Sequence, residues 1–292
     1  MSRQKIGLFL VQGFACLLAA GQAGSTIELH KQREAATDLE VAGLIRGVPP
    51  TESRFVSRES LETLPQVETT ISVGRDFKTS AKLHVKGIYL DVLAKSLGSD
   101  DGAVAIATIC NDGYMAPFPS DYIQKHKPLV VIAVDGMTPH DWSLKTHQYD
   151  AGPYFVGYER FEPSFHVLAH TDRPQEPDGM TKIVVDTDEG LFASISPKGT
   201  KATDGDVMNG FRIASQNCFR CHNAGTYGGT KAGVSWTEVA SIARKRSQYF
   251  GKWVHDPHAM RSRAEMPANL DYDHATLTAL QRYFSTFAVE GQ

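Results

Sequence analysis

Residues 217–222 of this 292-residue chain read NCFRCH. Two cysteines, Cys218 and Cys221, are separated by two residues, and His222 follows the second one directly. This short spacing keeps two thiols and an imidazole together, so all three can act on one bound group. Four uses of such a motif are known: half of a zinc site, a redox-active thiol pair, an ordinary disulfide, or the attachment point of a porphyrin.

The rest of the sequence favours the last of these uses. A zinc half-site would need a second Cys/His pair, and no other cysteine pair exists. A thioredoxin-type pair would stand in a βαβ unit, which this segment does not resemble. A disulfide between Cys218 and Cys221 is possible but leaves His222 unexplained. Cys-x-x-Cys-His is the attachment signature of c-type haem, in which the two sulfurs bind the vinyl groups and the histidine ligates iron. We therefore predict one covalent haem c on Cys218 and Cys221, with His222 as an axial ligand.

The second axial ligand is expected downstream of the motif. Met266 stands in the stretch RAEMPAN, where a proline follows it and can fix a turn. Met260 has no such proline, and a core position is the common fate of a lone methionine. The remaining candidates are histidines: His255, His258 and His274.

Residues 203–289 resemble the class I cytochrome c domains. That family runs as a helix, the haem motif, a loop, a helix, a Met-Pro loop and a closing helix, and each part has a counterpart here. The resemblance implies Met266 as the second iron ligand and Gly210 in close contact with Tyr283 of the closing helix. The family often has an aromatic residue four positions before the first cysteine, where this chain has Ala214. A His–Met haem has no open position for substrate and a raised potential, which favours electron transfer over catalysis.

The first 23 residues predict a signal peptide. A short basic start precedes the apolar run IGLFLVQGFACLLAA, and small residues follow it, with cleavage expected after Ala23. The run is shorter than a membrane span requires. We therefore expect a periplasmic or otherwise exported, soluble protein with no membrane span in the mature chain. Removal of Cys16 leaves three cysteines, an odd count that does not fit a disulfide framework.

The fold class predicted is two domains, a mixed α/β domain followed by an all-α cytochrome c. Residues 24–200 are rich in strand patterns, among them FHVLAH, KIVVDT and LFASIS. The polar stretch SPKGTKATDGD at 196–206 is the best linker, so residues 201–292 form the second domain. There the periodicity becomes helical, including SWTEVASIARKRSQYFGKWV, read as one helix.

Residues 38–168 resemble the molybdopterin-binding domain of the sulfite oxidase superfamily. The likeness lies in the order of short motifs such as YLDVLAKSLG, NDGY and VIAVDG. In catalytic members a cysteine ligates molybdenum in the segment where this chain has TTISVGRDFK, with Val73 and Gly74 and no cysteine. Cys110 comes one strand later and is interpreted as a buried thiol. We therefore expect no molybdopterin in this domain.

These observations favour an electron carrier over an enzyme. The net charge of −3 gives no basic surplus for nucleic acid. The expected partner is a redox protein: a dehydrogenase, another cytochrome or an oxidase. The alternative is a molybdopterin-dependent oxidoreductase of the sulfite oxidase type, with the fused haem c as its electron acceptor. In a third interpretation, the first domain binds a dehydrogenase that uses the cytochrome as its acceptor.

Overall fold

A computed structural model describes residues 27–72, 82–99 and 104–287. The predicted signal peptide (residues 1–23) and the pair Val73-Gly74 lie outside these ranges. The described part is mixed α/β: strands and helices both occur before residue 187, whereas the described residues after 204 form helices and no strands. The predicted domain boundary near residue 200 therefore coincides with a change in secondary structure, but the cores on its two sides are not separate, as shown below.

A five-stranded sheet has the order β2-β1-β11-β5-β6. β1 and β11 are parallel neighbours, although more than 130 residues separate them along the chain, and the other pairs are antiparallel. The chain thus leaves this sheet after β1 and β2 and returns to it later. The strands are β1 (Leu39–Gly43), β2 (Ser53–Val56), β5 (Ala105–Cys110), β6 (Met115–Phe118) and β11 (Met180–Asp186).

A second, antiparallel sheet has the order β3-β4-β7-β8. β7 ends at a tight turn in which Asp135 and Gly136 both have positive φ, as the Asp-Gly pair predicts. A separate two-stranded hairpin joins β9 to β10. The strands are β3 (Val67–Ser72), β4 (Lys82–Tyr89), β7 (Leu129–Val134), β8 (Phe155–Gly157), β9 (His166–Val167) and β10 (His170–Thr171).

Several helices begin at a side chain that caps free backbone N–H groups. Ser57 caps α1, Asp204 caps α6, and Ser235 with Glu238 forms a capping box at the start of α7. A 3₁₀ helix occupies Gly199–Thr203. The α-helices are α1 (Arg58–Glu62), α2 (Leu90–Ser96), α3 (Ser120–His126), α4 (Pro139–Thr146), α5 (Asp188–Phe192), α6 (Gly205–Asn217), α7 (Trp236–Lys245), α8 (Ser247–His255), α9 (Pro257–Met260) and α10 (His274–Phe284).

β5 is covered on both faces. It therefore connects the sheet part of the molecule, before residue 187, with the helical part, after residue 204. Because side chains alternate along a strand, Ile106 belongs to one core cluster whereas Ala105 and Ala107 belong to another. The first cluster contains side chains of both sheets and of α1, α2 and α3. The second, here called the shared core, contains side chains of β5, α5, α6, α7 and α10 and of the turns after α5 and α6. Its members include Leu191, Ile195, Ile213, Phe219, Trp236 and Tyr283.

Three sequence predictions of local structure are wrong. LFASIS is not a strand: Leu191 and Phe192 end the short helix α5, which Thr187 caps. FHVLAH is not one strand but a hairpin, which turns at Leu168 with positive φ. The long helix predicted from residue 235 divides into α7 and α8 at Arg246, whose backbone leaves the helical region. Within the described ranges, no helix combines the length and apolar character that crossing a membrane requires.

Candidate haem attachment site

The Cys-x-x-Cys-His motif lies at the C-terminal end of α6. The chain continues in helical turns after Asn217: the N–H of Cys221 donates to the Cys218 carbonyl at 3.1 Å, and that of His222 donates to the same carbonyl at 3.0 Å. The two cysteines and the histidine therefore belong to one turn. Both thiols are free and half-buried. The motif follows a helix instead of starting one, which differs from the strand-to-helix position of a thioredoxin-type pair.

His222 is held in the orientation that an iron ligand needs. Its Nδ1 lies 2.7 Å from the carbonyl oxygen of Val234, to which it donates. This bond fixes the tautomer and leaves the Nε2 lone pair available for a metal. Burial lowers the pKa of His222, and the bond to Val234 opposes this effect only in part. A neutral imidazole with a free Nε2 is the form that ligates haem iron.

Burial also keeps both thiols protonated. It raises the pKa of Cys218 to about 12, although the guanidinium of Arg220 acts in the opposite direction. The pKa of Cys221 is raised for the same reason, against the charges of Arg220 and Lys231. A structural zinc site would need thiolates with further ligands, and the described ranges contain no group of three or more His, Cys, Asp or Glu side chains suited to a metal ion. A haem needs only two axial protein ligands.

The loop after His222 folds closely back on the motif. The N–H of Gly229 donates to the carbonyl of Phe219 at 2.9 Å, and that of Ala232 donates to the carbonyl of Cys221 at 3.1 Å. A Cβ at Gly229 would lie 1.8 Å from the carbonyl oxygen of Arg220, so only glycine fits there. This loop carries Val234 to the imidazole and so completes the support of His222.

The Met266 loop meets the motif through one side-chain pair. Asn217, directly before Cys218, donates through Nδ2 to Oδ1 of Asn269 at 3.0 Å. Asn269 is buried, and its Nδ2 donates to the carbonyl of Val254 at 3.0 Å, which ties the same loop to α8. Met266 is half-buried and packs against the shared core, as Cys218 does. The structure therefore brings the Met-Pro loop to the haem motif.

The first and last helices of this region cross where the resemblance places them. A Cβ at Gly210 in α6 would lie 2.2 Å from the carbonyl oxygen of Ala279 and 2.5 Å from Cβ of Tyr283 in α10. The predicted contact between Gly210 and Tyr283 is confirmed. At the position where the family often has an aromatic side chain, Ala214 is buried, and Phe211 packs on Tyr283 with ring centroids 5.9 Å apart.

A chain of buried hydrogen bonds runs from the motif into the sheet part of the molecule. Asn217 donates to the hydroxyl of Tyr272 at 3.1 Å, and that hydroxyl donates to Nδ1 of His170 at 2.7 Å. Nε2 of His170 donates to Oε1 of Gln216 at 2.7 Å. Nε2 of Gln216 donates to Asp172. Every group in this chain has a single consistent role, so it fixes the arrangement of its members.

Asp172 is the end point of that chain and is fully buried. Its carboxylate also accepts hydrogen bonds from the N–H of Ser164 at 3.0 Å, the Ser164 hydroxyl at 2.9 Å and Nε2 of His126 at 2.9 Å. A buried carboxylate needs such donors, because it has lost its water. Together these groups link α3, the β9–β10 hairpin and α6.

Arg220, between the two cysteines, makes a second link. Its guanidinium donates to Asn217 and, at 3.0 Å, to the hydroxyl of Tyr114. Its carbonyl accepts from the N–H of Met115 at 2.9 Å. Nearby, the N–H of Thr230 donates to the carbonyl of Gly113 at 2.8 Å, and Lys231 pairs with Asp112. The turn at 111–114 is therefore part of the support of the motif.

The residues present fit a haem better than a molybdenum centre. Haem attachment needs two thiols on one turn, a fixed imidazole and a second ligand nearby. The two thiols and the imidazole lie on the turn that directly follows α6. Molybdenum of the sulfite oxidase type needs a thiolate. Cys110 is buried at the end of β5, and burial, with Asp178 and Asp112 nearby, raises the pKa of its thiol. A thiolate at Cys110 is disfavoured, in agreement with a structural role.

Sequence reasoning alone did not identify several supporting residues. Polar residues such as Asn217, Asn269 and Tyr272 have no signature in the sequence, because their role depends on contacts between distant segments. His166 and His170 stand four residues apart in FHVLAH, and the structure exposes the first and buries the second. No signal marks Arg220, because the positions between the cysteines of the motif accept any residue.

No family model matches the sequence, and no curated protein is a significant match to it. The interpretation of the site therefore depends on its own residues and geometry.

Proposed function

We propose that this chain is an exported electron carrier with one covalent haem c, which passes single electrons to and from a redox partner protein. The observation that carries the proposal is the hydrogen bond between Asn217 and Asn269. It joins the residue before Cys218 to the loop that contains Met266, which supports the expectation that His222 and Met266 ligate one iron.

The residues of the site would each have a defined part in this function. Cys218 and Cys221 would hold the porphyrin covalently, and the haem supplies a one-electron couple when bound. The carbonyl of Val234 orients His222, and Asn269 holds the Met266 loop against the end of α8. The buried surroundings of the motif exclude water. Ligation by thioether sulfur would raise the reduction potential and close the sixth position to substrate.

The proposed location outside the cytoplasm agrees with this chemistry. The sequence predicts a signal peptide at residues 1–23. Cys218 and Cys221 form no disulfide in the structure, so both thiols are available for haem attachment in an exported protein. The sheet part would serve as a structural support for the motif, since it contacts the backbone of Arg220 and the side chain of Gln216.

The test is the substitution Met266→Ala in protein matured with haem. Loss of the thioether should remove the weak long-wavelength methionine–iron band, lower the reduction potential and let the reduced protein bind carbon monoxide. The substitution Met260→Ala is the matched control, because Met260 is exposed and should leave all three readouts unchanged.

Two outcomes would contradict the proposal. Wild-type protein that carries no covalent porphyrin after maturation would exclude the haem assignment. A Met266→Ala protein with the wild-type spectrum would exclude Met266 as the ligand. A stoichiometric molybdenum and pterin content would instead favour the oxidoreductase alternative.

A further inference from the structure

A cavity of about 340 Å³ lies where the sheet part of the molecule meets the helical part. Its walls come from β6, α3, the strand β9 with the two residues before it, the end of α5 and the second half of α6. Cys218, His222 and Met266 do not line this cavity, so it is separate from the proposed haem site. Its volume is at the lower end of the range for small-molecule sites, which favours a small ligand over a nucleotide or a peptide.

The charged side chains of the cavity leave one positive charge without a partner. Lys125 and Asp121 pair with each other across one turn of α3, with Nζ 3.3 Å from Oδ2. Arg212 on α6 is exposed, and among the described residues no carboxylate is within salt-bridge distance of its guanidinium. A guanidinium binds a carboxylate through parallel N–H donors, so Arg212 can hold the acidic group of a ligand.

A buried donor stands beside Arg212. Gln216 also lines the cavity and lies on the same face of α6, because it is four residues further along the helix. Its side chain is only 9% exposed, and its amide donates one N–H to Asp172 while the amide oxygen accepts from His170. The amide has a second N–H, and in the part of the chain that the structure describes no acceptor faces it. Buried donors are normally satisfied, and a carboxylate in the cavity would satisfy this one.

The remaining walls of the cavity are mostly apolar and partly aromatic. Tyr122 is buried, and Phe165 and Phe192 are half-buried. The ring centroid of Phe165 is 6.1 Å from that of His170, and the ring centroid of Phe192 is 6.2 Å from that of Phe219, so the surrounding core holds both rings in place. Fixed aromatic side chains pack well against another ring, edge to face or offset. Aromatic walls and one free guanidinium match a ligand with a ring and one negative charge.

We propose that this cavity binds a small aromatic monocarboxylate of the benzoate class. The carboxylate would pair with Arg212 and accept from Gln216, and the ring would lie between Phe165 and Phe192. The inference goes beyond the proposed function and does not depend on it, because the cavity contains none of the residues that would hold the haem.

A ligand in this cavity would contact α3, the β9–β10 hairpin and α6 at once. Gln216 is also joined through His170 and Tyr272 to Asn217, the residue before Cys218. Binding would therefore hold the sheet part and the helical part together. The midpoint of thermal unfolding should rise with the ligand concentration, because only the folded chain has the cavity.

The experiment is a calorimetric titration of the haem-loaded full chain with benzoate, benzylamine and acetate. Benzoate should bind with a Kd below about 1 mM. Benzylamine has the same ring with the opposite charge, and acetate has the carboxylate without the ring, so each should bind at least about tenfold more weakly. Arg212→Gln should weaken the binding of benzoate about tenfold. Ser215→Phe, which places a ring in the cavity, should abolish it while circular dichroism stays unchanged.

The matched control is Arg244→Gln, at an exposed arginine of α7 that does not line the cavity. It should bind benzoate as the wild type does, so equal weakening by both arginine substitutions would refute the site. Binding of benzylamine as tight as that of benzoate would refute the ligand class, and a change of the haem spectrum on addition of benzoate would place the ligand at the iron. Wild-type protein without a haem spectrum would refute the proposed function, whereas haem-loaded protein that binds no benzoate would refute only the inference on the cavity.

Discussion

Burial of a single side chain, His170, makes the free energy of unfolding depend on pH. Its side chain is buried, and both ring nitrogens are engaged, with Tyr272 and with Gln216. Burial lowers the pKa of His170 to about 4, against the effect of Gln216, and the positive charges of Arg173 and Arg220 act in the same direction as burial. Asp172 opposes it. His170 is therefore neutral in the folded protein at any pH near neutrality.

The expected consequence is a loss of stability in mild acid. Between pH 6.5 and 4, the unfolded chain binds a proton at His170 and the folded chain does not, so the free energy of unfolding falls as the pH falls. The full effect is about 3 kcal/mol. Urea unfolding of the haem-loaded protein at pH 7 and pH 4.5 should show a smaller loss for His170→Gln, which keeps one donor and one acceptor. The control His258→Gln, at an exposed position, should retain the wild-type loss; equal losses in all three proteins would contradict the assignment.

Gly210 determines how closely the helices α6 and α10 approach each other. α6 and α10 cross at this glycine, and an added Cβ would meet backbone of α10. We expect Gly210→Ala to lower the free energy of unfolding by about 2 kcal/mol, because the helices must separate. The matched control is Gly251→Ala in α8, where nothing lies within 4 Å of an added Cβ. It should be neutral or slightly stabilising, because alanine favours a helix. Thermal unfolding followed by circular dichroism would decide, and equal effects of the two substitutions would refute the role of Gly210.

Elements with a strong local pattern could be predicted from the sequence, and those that depend on distant contacts could not. The apolar run of β7 and the capped start of α1 are present where the pattern indicates them. The sequence pattern does not indicate α3 and α4, because short helices with few buried residues give little periodicity. The stretch LFASIS predicts a strand because Leu191, Phe192 and Ile195 are apolar and close together, but Thr187 caps a helical turn that contains the first two. At the site, the spacing of Cys218, Cys221 and His222 is local, so the sequence predicts the motif. The contact between Asn217 and Asn269 joins distant segments, so the sequence does not predict it.

At the scale of the whole molecule, the two parts share one core and one buried hydrogen-bond chain. Ala105 and Met115 of the sheet pack in the same cluster as Phe219 and Trp236 of the helices. The hydroxyl of Tyr283 in α10 donates to the carbonyl of Ile195 at 2.7 Å. Separation of the parts would therefore expose apolar side chains and leave buried polar groups unpaired. We expect the two parts to unfold as one cooperative unit.

Asp172→Asn tests this expectation. The amide replaces a charged acceptor of four donors, and the free energy of unfolding should fall by about 2 kcal/mol. Absorbance of the proposed haem would report on the helical part, and hydrogen exchange of β1 and β11 amides reports on the sheet. Both should shift together. The control Asp150→Asn removes an exposed contact with His140 and should have little effect. A variant in which the haem signal shifts and the sheet amides stay protected would contradict a single unit.

In the proposed haem protein, the backbone contact between Arg220 and Met115 would also set an order of events during biogenesis. In the finished fold, the backbone of the turn at 111–115 lies against the backbone between the two cysteines and against Thr230. An enzyme that joins a porphyrin to Cys218 and Cys221 needs the surrounding chain to be open. Covalent attachment would therefore have to come before the sheet closes over this turn, and the closed sheet would then protect the finished linkage from the solvent.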